Sequence, residues 1–200
     1  MKTNLMMTAL AAVAISACGG AAKVGGGKDG AAQALHAMSA PTKESANRAA
    51  SPLNLTDLTV SCAKGGTAKL SNFAATVDTS GGGVKVVQSF TMELAACGLA
   101  TSDAGDALYT GSVKVAQSVI TDASGVRVDQ HFTGKVTISG AFNDFLDTDI
   151  SEQVAVSQLG ASGNVSVVLK GSLTDSSGSY TYDEAVNVNG GSIAVDSSTK

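Results

Sequence analysis

From about residue 52 onward, hydrophobic and polar residues alternate in short segments that are separated by clusters of Gly, Ser, Asp and Asn. A period of two is typical of β-strands that bury one face, and such clusters are typical of tight turns. The pattern predicts strands at residues 56–62, 67–77, 84–97, 113–119, 126–142, 165–173, 180–188 and 193–195. It therefore predicts an all-β domain over residues 52–200.

The turns predict how these strands are joined. Tight turns are predicted at residues 80–83, 122–125 and 176–178, and Asn189-Gly190 is a strong hairpin signal. Consecutive strands joined by tight turns favour an antiparallel meander with one solvated face. The sequence predicts a curled sheet, half barrel or sandwich, and it does not distinguish among the three.

Glycines recur at the same place in a short pattern, as in Gly111-Ser-Val-Lys-Val and Gly134-Lys-Val-Thr-Ile. The spacing is too irregular for a repeat architecture, so we interpret the pattern as a way of starting a strand after a glycine. Gly134 lies within the long strand predicted at 126–142, where a glycine is expected to bend or bulge the strand.

Residues 18–51 have a different composition. They are rich in Gly, Ala, Ser and Lys, with glycines at 25–27 and Pro41 as breakers, and they lack a sustained apolar face. This predicts a disordered, flexible tether spanning roughly 30–35 Å. Residues 31–38 could form a helical turn or two, but an isolated helix of that length does not persist. His36 is accordingly expected to be solvated.

Residues 1–17 have the three parts of a secretory signal peptide. Lys2 is followed by an apolar run at 5–15, which is too short to span a membrane, and then by small residues before Cys18. The tetrapeptide Ile15-Ser16-Ala17-Cys18 resembles the lipobox of bacterial lipoproteins. The chain thereby resembles the envelope lipoproteins of Gram-negative bacteria, with a glycine-rich tether and a Ser/Thr-rich β domain.

This resemblance implies that Cys18 is the lipidation site. The leader would be cut before Cys18, its thiol would carry a diacyl group such as dipalmitoylglycerol, and its new amino group would usually be acylated. Each buried CH₂ contributes about 0.8 kcal/mol, so two or three chains make a stable membrane anchor. Gly19 in place of aspartate favours the outer membrane. The alternative is an ordinary cleaved signal peptide in which the cysteine is accidental.

Composition narrows the choice of partners. The net charge is −4, 15% of residues are charged and 4% are aromatic, with no tryptophan. Nucleic-acid binding requires clustered basic residues, which this chain lacks, so no nucleic-acid partner is expected. Scarce aromatics also limit stacking surfaces for bases or sugars.

Three cysteines are present, and if Cys18 carries lipid, Cys62 and Cys97 remain as a pair. Outside the cytoplasm such a pair is expected to form a structural disulfide. A redox or metal-binding pair is the alternative, although the spacing does not resemble Cys-x-x-Cys and no histidine is near in sequence.

Few residues of the sequence are candidates for a catalytic or metal-binding role. His131 is the only histidine in residues 52–200, and its parity is opposite to that of Phe132, which predicts a surface position. Any Ser/His/Asp catalytic set would need this histidine. Asp175-Ser-Ser-Gly-Ser matches the metal-binding start of von Willebrand A domains, but in an all-β context it predicts a hairpin turn.

The acidic segment 143–152 is predicted to be a loop, and it holds a candidate metal site. Asp147, Asp149 and Ser151 have the opening spacing of a calcium loop, but Glu152 replaces the expected glycine. Carboxylates of the same segment could alternatively serve glycoside hydrolysis. No cofactor is expected.

These observations favour a non-catalytic envelope lipoprotein. Its β domain would have a structural role or bind an envelope protein, and the lipid would hold it at the membrane. The alternative is a periplasmic carrier or assembly chaperone for lipid or another apolar ligand, which would need an apolar cavity. A third possibility is an enzyme built from Asp, Ser and Tyr.

Overall fold

The structure is a computed structural model that describes residues 27–39, 41, 57–80, 83–99, 107–140, 143–157, 164–189 and 192–195. The described residues form one helix and nine strands. These are α1 Lys28–Met38, β1 Leu58–Ser61, β2 Thr67–Asp78, β3 Val84–Gly98, β4 Ala107–Asp122, β5 Gly125–Gly140, β6 Asp144–Ser157, β7 Asn164–Asp175, β8 Gly178–Asn189 and β9 Ser192–Val195.

The nine strands form a single antiparallel sheet in the order of the chain, β1 to β9. The prediction of an all-β antiparallel meander is therefore confirmed. A sandwich would need a second sheet, whereas all the described strands belong to one. Within the described residues β1 and β9 are each paired on one side only, so the sheet is open.

One face of the sheet is apolar because the hydrophobic residues keep the same parity on each strand. Neighbouring strands align these residues in lateral rows, for example Leu70 opposite Met92 and Met92 opposite Val113. The large buried side chains of this face are Leu70, Met92, Tyr109, Phe132, Ile138, Leu146, Ile150, Leu169, Leu173 and Tyr182. We call it the inner face and the opposite one the outer face.

Glycines at inner-face positions let the strands bend and approach closely. Gly134 has φ +145°, and a Cβ there would lie 2.5 Å from the Ser112 carbonyl oxygen; at Gly171, with φ +129°, it would lie 2.3 Å from the Asp149 carbonyl oxygen. Pairing runs through Gly134 without an inserted residue, so β5 has no bulge there. These positions need a residue that lacks a Cβ and tolerates positive φ.

The register corrects one interpretation of the glycine pattern. Gly111 and Gly134 lie inside β4 and β5 and do not start those strands. The register shifts occur elsewhere, between Ser71 and Ala74 in β2 and between Leu94 and Cys97 in β3. Glycine in this fold therefore occurs inside strands, at points of close backbone approach, as well as in turns.

Helix α1 lies within the segment predicted to be a flexible tether, and here the structure differs from the prediction. Eight of its eleven residues are buried, on nearly all sides of the helix, and it contacts β6, β7 and β9. A helix buried on nearly all sides belongs to the interior of the domain. Alanine-rich α1 is too short to persist alone, but small side chains let it pack closely, and this burial stabilises it.

A disulfide closes one end of the sheet. Cys62 and Cys97 are bonded, with their Cα atoms 5.4 Å apart, and the Cys97 side chain is fully buried. The predicted pairing is thus present in the structure. The same corner is held by backbone hydrogen bonds from Lys64 N–H to the Gly98 carbonyl and from Gly98 N–H to the Gly65 carbonyl, both 2.8 Å. The bond ties the β1–β2 turn to the end of β3.

We expect that replacing both Cys62 and Cys97 by alanine lowers the free energy of unfolding by about 3–4 kcal/mol, since an open chain gains loop entropy on unfolding. Urea denaturation of the variant and of the oxidised and reduced wild type measures the change. Reduction of the wild type should cause a loss of similar size. A variant as stable as the oxidised protein would contradict this.

We expect that Gly134→Ala destabilises the fold by about 2 kcal/mol or more, because the new Cβ meets the backbone of β4 and the residue must hold a positive φ. Gly178→Ala is the matched control, since Gly178 also has positive φ but a Cβ there would meet nothing within 4 Å. Thermal denaturation should give the smaller loss for the control. Equal losses would mean that close approach of the strands does not require Gly134.

Candidate functional site

A row of polar residues crosses the otherwise apolar inner face. Six residues occupy directly opposite positions on the neighbouring strands β3 to β8. They are Gln88, Gln117, Gln130, Glu152, Leu169 and Glu184. Gln117, Gln130 and Glu152 are buried, and the Gln88 amide donates a hydrogen bond to the Gln117 side-chain oxygen. We call these six positions the polar row.

Helix α1 lies along the β6–β8 part of the polar row. Lys28 Nζ pairs with the Glu184 carboxylate, and His36 Nδ1 lies 3.5 Å from Glu152 Oε1. The two basic residues are eight positions apart, roughly 12 Å along a helix, whereas β6 and β8 are roughly 10 Å apart. The helix therefore runs across the strands, with a basic residue facing each acidic one.

The position of His36 corrects the prediction that it is solvated. Its side chain is 17% exposed and faces Glu152, whose side chain is only 2% exposed. A buried carboxylate is costly unless charged or polar groups compensate it, so a nearby imidazole favours docking of the helix at this point. No sequence pattern signals this contact, because the two residues are more than a hundred positions apart.

Tyr182 holds the beginning of α1. Its hydroxyl donates a hydrogen bond of 2.6 Å to the Lys28 carbonyl oxygen, and the Lys28 ammonium lies 5.0 Å from the centre of its ring. Burial raises the pKa of Tyr182, which keeps the hydroxyl protonated and able to donate. The helix is thus fixed by a hydrogen bond, a cation–π contact and an ion pair at Lys28.

The outer face carries the second cluster, centred on His131 of β5. Its Nδ1 lies 2.9 Å from Ser151 Oγ, and its Nε2 lies 3.2 Å from Asp149 Oδ1. The half-exposed position of His131 agrees with its predicted surface location. The register of β5 and β6 thus assembles a Ser/His/Asp set that the linear sequence did not disclose.

The surroundings of this set do not suit acyl transfer. The Asp149 side chain is 71% exposed, so water screens its interaction with the imidazole. The amides of β5 and β6 are committed to their mutual ladder, whereas an oxyanion hole requires free N–H groups. The contacts of the set form a cross-strand polar network on the outer face.

The candidate calcium residues lie in the same strand. Asp147, Asp149 and Ser151 were predicted to lie in an acidic loop, but they occupy alternate positions of β6 on its outer face, while Glu152 faces inward. Alternate residues of a strand are roughly 6.5 Å apart in a line, so they cannot wrap around one cation. Within the described ranges, no group of three His, Cys, Asp or Glu residues is arranged to hold a metal.

The turn between β7 and β8 confirms the hairpin predicted for Asp175 and its neighbours. Asp175 Oδ1 accepts hydrogen bonds from the backbone N–H groups of Ser177, at 2.8 Å, and of Gly178, at 3.2 Å. Asp144 accepts two more from Ser176, one from its backbone N–H at 3.0 Å and one from its hydroxyl at 2.9 Å. These carboxylates stabilise a turn.

A shallow cleft, lined by polar residues and by Phe90, Val115 and Ala116, lies beside His131 on the outer face. Its volume is about 290 Å³, and its polar lining residues are Asn72, Ser89, Thr91, Lys114, His131 and Thr133. Ser151 and Asp149 are not in its lining, so the cleft does not present the Ser/His/Asp set to a bound molecule. It is open to solvent and offers hydroxyl groups and one lysine.

Cys18 and the preceding leader lie outside the described residues. In the part of the chain that the structure covers, no helix has the length and apolar character needed to span a membrane. Comparison of the chain with protein-family models, with curated proteins and with solved structures finds no match.

We expect that Tyr182→Phe lowers the free energy of unfolding by about 1 kcal/mol, because the hydrogen bond to the Lys28 carbonyl is lost. Tyr180→Phe is the matched control, since that hydroxyl is partly exposed and donates to Asp175 and not to the helix. Hydrogen exchange should accelerate at residues 28–38 in the first variant only. Equal exchange of α1 in both variants would mean that Tyr182 does not hold the helix.

Proposed function

We propose that this protein is a lipid-anchored lipoprotein of the bacterial cell envelope, held at the outer membrane through Cys18. Its β domain acts as a non-catalytic module with a structural or partner-binding role. The anchor fixes the domain at the membrane, and the polar outer face is available to an envelope protein.

The proposal rests on the three cysteines, of which two are bonded to each other and one stands in the position of a lipobox cysteine. Cys62 and Cys97 are bonded to each other, and structural disulfides persist mainly in oxidising compartments outside the cytoplasm. Cys18 is the remaining cysteine, and it stands directly after Ile15-Ser16-Ala17, in the position of a lipobox cysteine. A lipoprotein accounts for all three residues.

The packing of the inner face supports a binding module more than a carrier. Buried side chains and α1 occupy the interior, and the helix is fixed there by contacts at Lys28 and His36. A ligand entering beneath α1 would have to displace the helix and break these contacts. The outer face requires no such rearrangement, and its hydroxyl and charged groups suit a polar protein surface.

The experiment is expression of the full chain and of Cys18→Ser in a Gram-negative host. We expect the wild type to fractionate with membranes and its N-terminal peptide to carry acyl chains by mass spectrometry. Cys18→Ser should lose both properties, since it has no thiol to acylate. Gly19→Asp is the matched control, and it should retain the acyl mass but shift toward the inner membrane.

Protease treatment of intact and permeabilised cells then distinguishes the two sides of the outer membrane. Digestion in intact cells would place the domain on the cell surface, and protection until permeabilisation would place it in the periplasm. Membrane association of Cys18→Ser equal to that of the wild type would refute the lipid anchor.

A further inference from the structure

One long edge of the sheet is open. Strand β1 pairs with Thr67–Leu70 only, while β2 continues to Asp78. Along residues 71–78, β2 pairs with β3 on one side, and no strand of the described residues pairs with the other side. Among the described residues, this edge therefore has N–H and C=O groups without a strand partner, and such groups form a template for another strand.

The opposite edge of the sheet is guarded, which here means that charged residues oppose the addition of another strand. Strand β9 pairs with Val186–Asn189 only, so β8 also has an unpaired side along residues 178–185. That stretch carries Asp183 and the inward-facing Glu184, which pairs with Lys28 of α1. Charged residues, above all inward-pointing ones, are the usual protection of an edge strand.

The β2 edge lacks this protection. Its one charged residue, Asp78, is the last residue of β2; residues 71–77 contain no charged residue and no proline, and the bulge at Asn72 is confined to the beginning of the stretch. Val77 is 56% exposed, the largest exposed fraction among the large hydrophobic side chains that the structure describes as exposed. An uncharged edge with an exposed apolar side chain is favourable for strand addition.

The residue pattern of this edge is self-complementary. Phe73, Ala75 and Val77 face inward, with Ala75 and Val77 opposite Gln88 and Val86 and with the Phe73 ring 5.3 Å from that of Phe90. If two copies of β2 pair antiparallel about Ala75, then Phe73 of each copy lies opposite Val77 of the other. Apolar cross-strand pairs of this kind stabilise a sheet.

The register of the whole sheet favours this arrangement. Val77 is the first of eight valines at directly opposite positions on β2 to β9, which are Val77, Val86, Val119, Val128, Val154, Val167, Val186 and Val195. At the β2 edge this apolar row ends in solvent at Val77. Pairing with Phe73 of a second copy would continue the row across the contact.

We propose that the β2 edge is a dimer interface, at which two copies of this chain pair antiparallel about Ala75. The contact is the same surface on both copies, so it is closed by a two-fold axis. Because the β8 edge is guarded, pairing stops at two copies and does not extend into a fibre. The inference goes beyond the proposed function, since it depends on β2 and not on the anchor at Cys18.

The test is Ala75→Cys in the full chain, with cells treated with the oxidant diamide and proteins separated on a non-reducing gel. In the proposed dimer, residue 75 of one copy would lie opposite residue 75 of the other, at a distance that a disulfide can bridge. We expect a band of twice the monomer mass that disappears on reduction. Ala185→Cys, an exposed position on the guarded β8 edge, is the matched control and should remain monomeric.

A second variant tests the register. Val77→Lys in the Ala75→Cys background places a charge opposite Phe73 of the other copy and should reduce cross-linking by about fivefold or more, as edge lysines oppose strand pairing. Since Val77 is mostly exposed, the thermal stability of the monomer should change little, which circular dichroism checks.

Three outcomes would overturn the proposal. Ala75→Cys could remain monomeric, as expected if other residues of the same chain cover the edge. It could cross-link to a different protein, which would make that protein the occupant. The third outcome is cross-linking that does not depend on the edge. Ala75→Cys would then cross-link no more than Ala185→Cys, or as much with Val77→Lys as without it, which would indicate contact by random collision.

Discussion

The sheet has one apolar face, and the remaining features of the structure depend on how that face is covered. The described strands form a single sheet, so its apolar face must be covered by other parts of the chain. Helix α1 fills part of it, with Ala31, Ala32, Leu35 and Met38 fully or almost fully buried. Glycines such as Gly134 let neighbouring strands approach at points where a Cβ would clash.

The same constraint explains the polar contacts of the interior. A helix placed in an apolar space by hydrophobic burial alone has no fixed position, because apolar contacts are not directional. Lys28 and His36 each face an acidic residue of the polar row, and Tyr182 bonds to the first turn. These contacts give α1 one position, which keeps the inner face closed and leaves the outer face and the open edge of β2 for association.

The candidate site was less accessible to prediction than the fold. The sequence identified His131 as a surface residue, and the structure agrees, but its contact with Ser151 depends on the β5–β6 register. A register shift of one residue would move Ser151 to the other face. Asp and Ser are common in turns, so the acidic segment predicts a loop; the prediction is wrong because Leu146, Thr148 and Ile150 alternate as the buried positions of a strand.

The sequence by itself determined the all-β class, the meander order and the pairing of Cys62 with Cys97, because alternation, tight turns and cysteine number are local or compositional properties. Only the tertiary structure decided that residues 28–38 form a buried helix. A short helix is stable only where packing compensates its nucleation cost, and that packing comes from strands more than a hundred residues away. The meeting of His36 with Glu152 follows from the same burial, which no local pattern encodes.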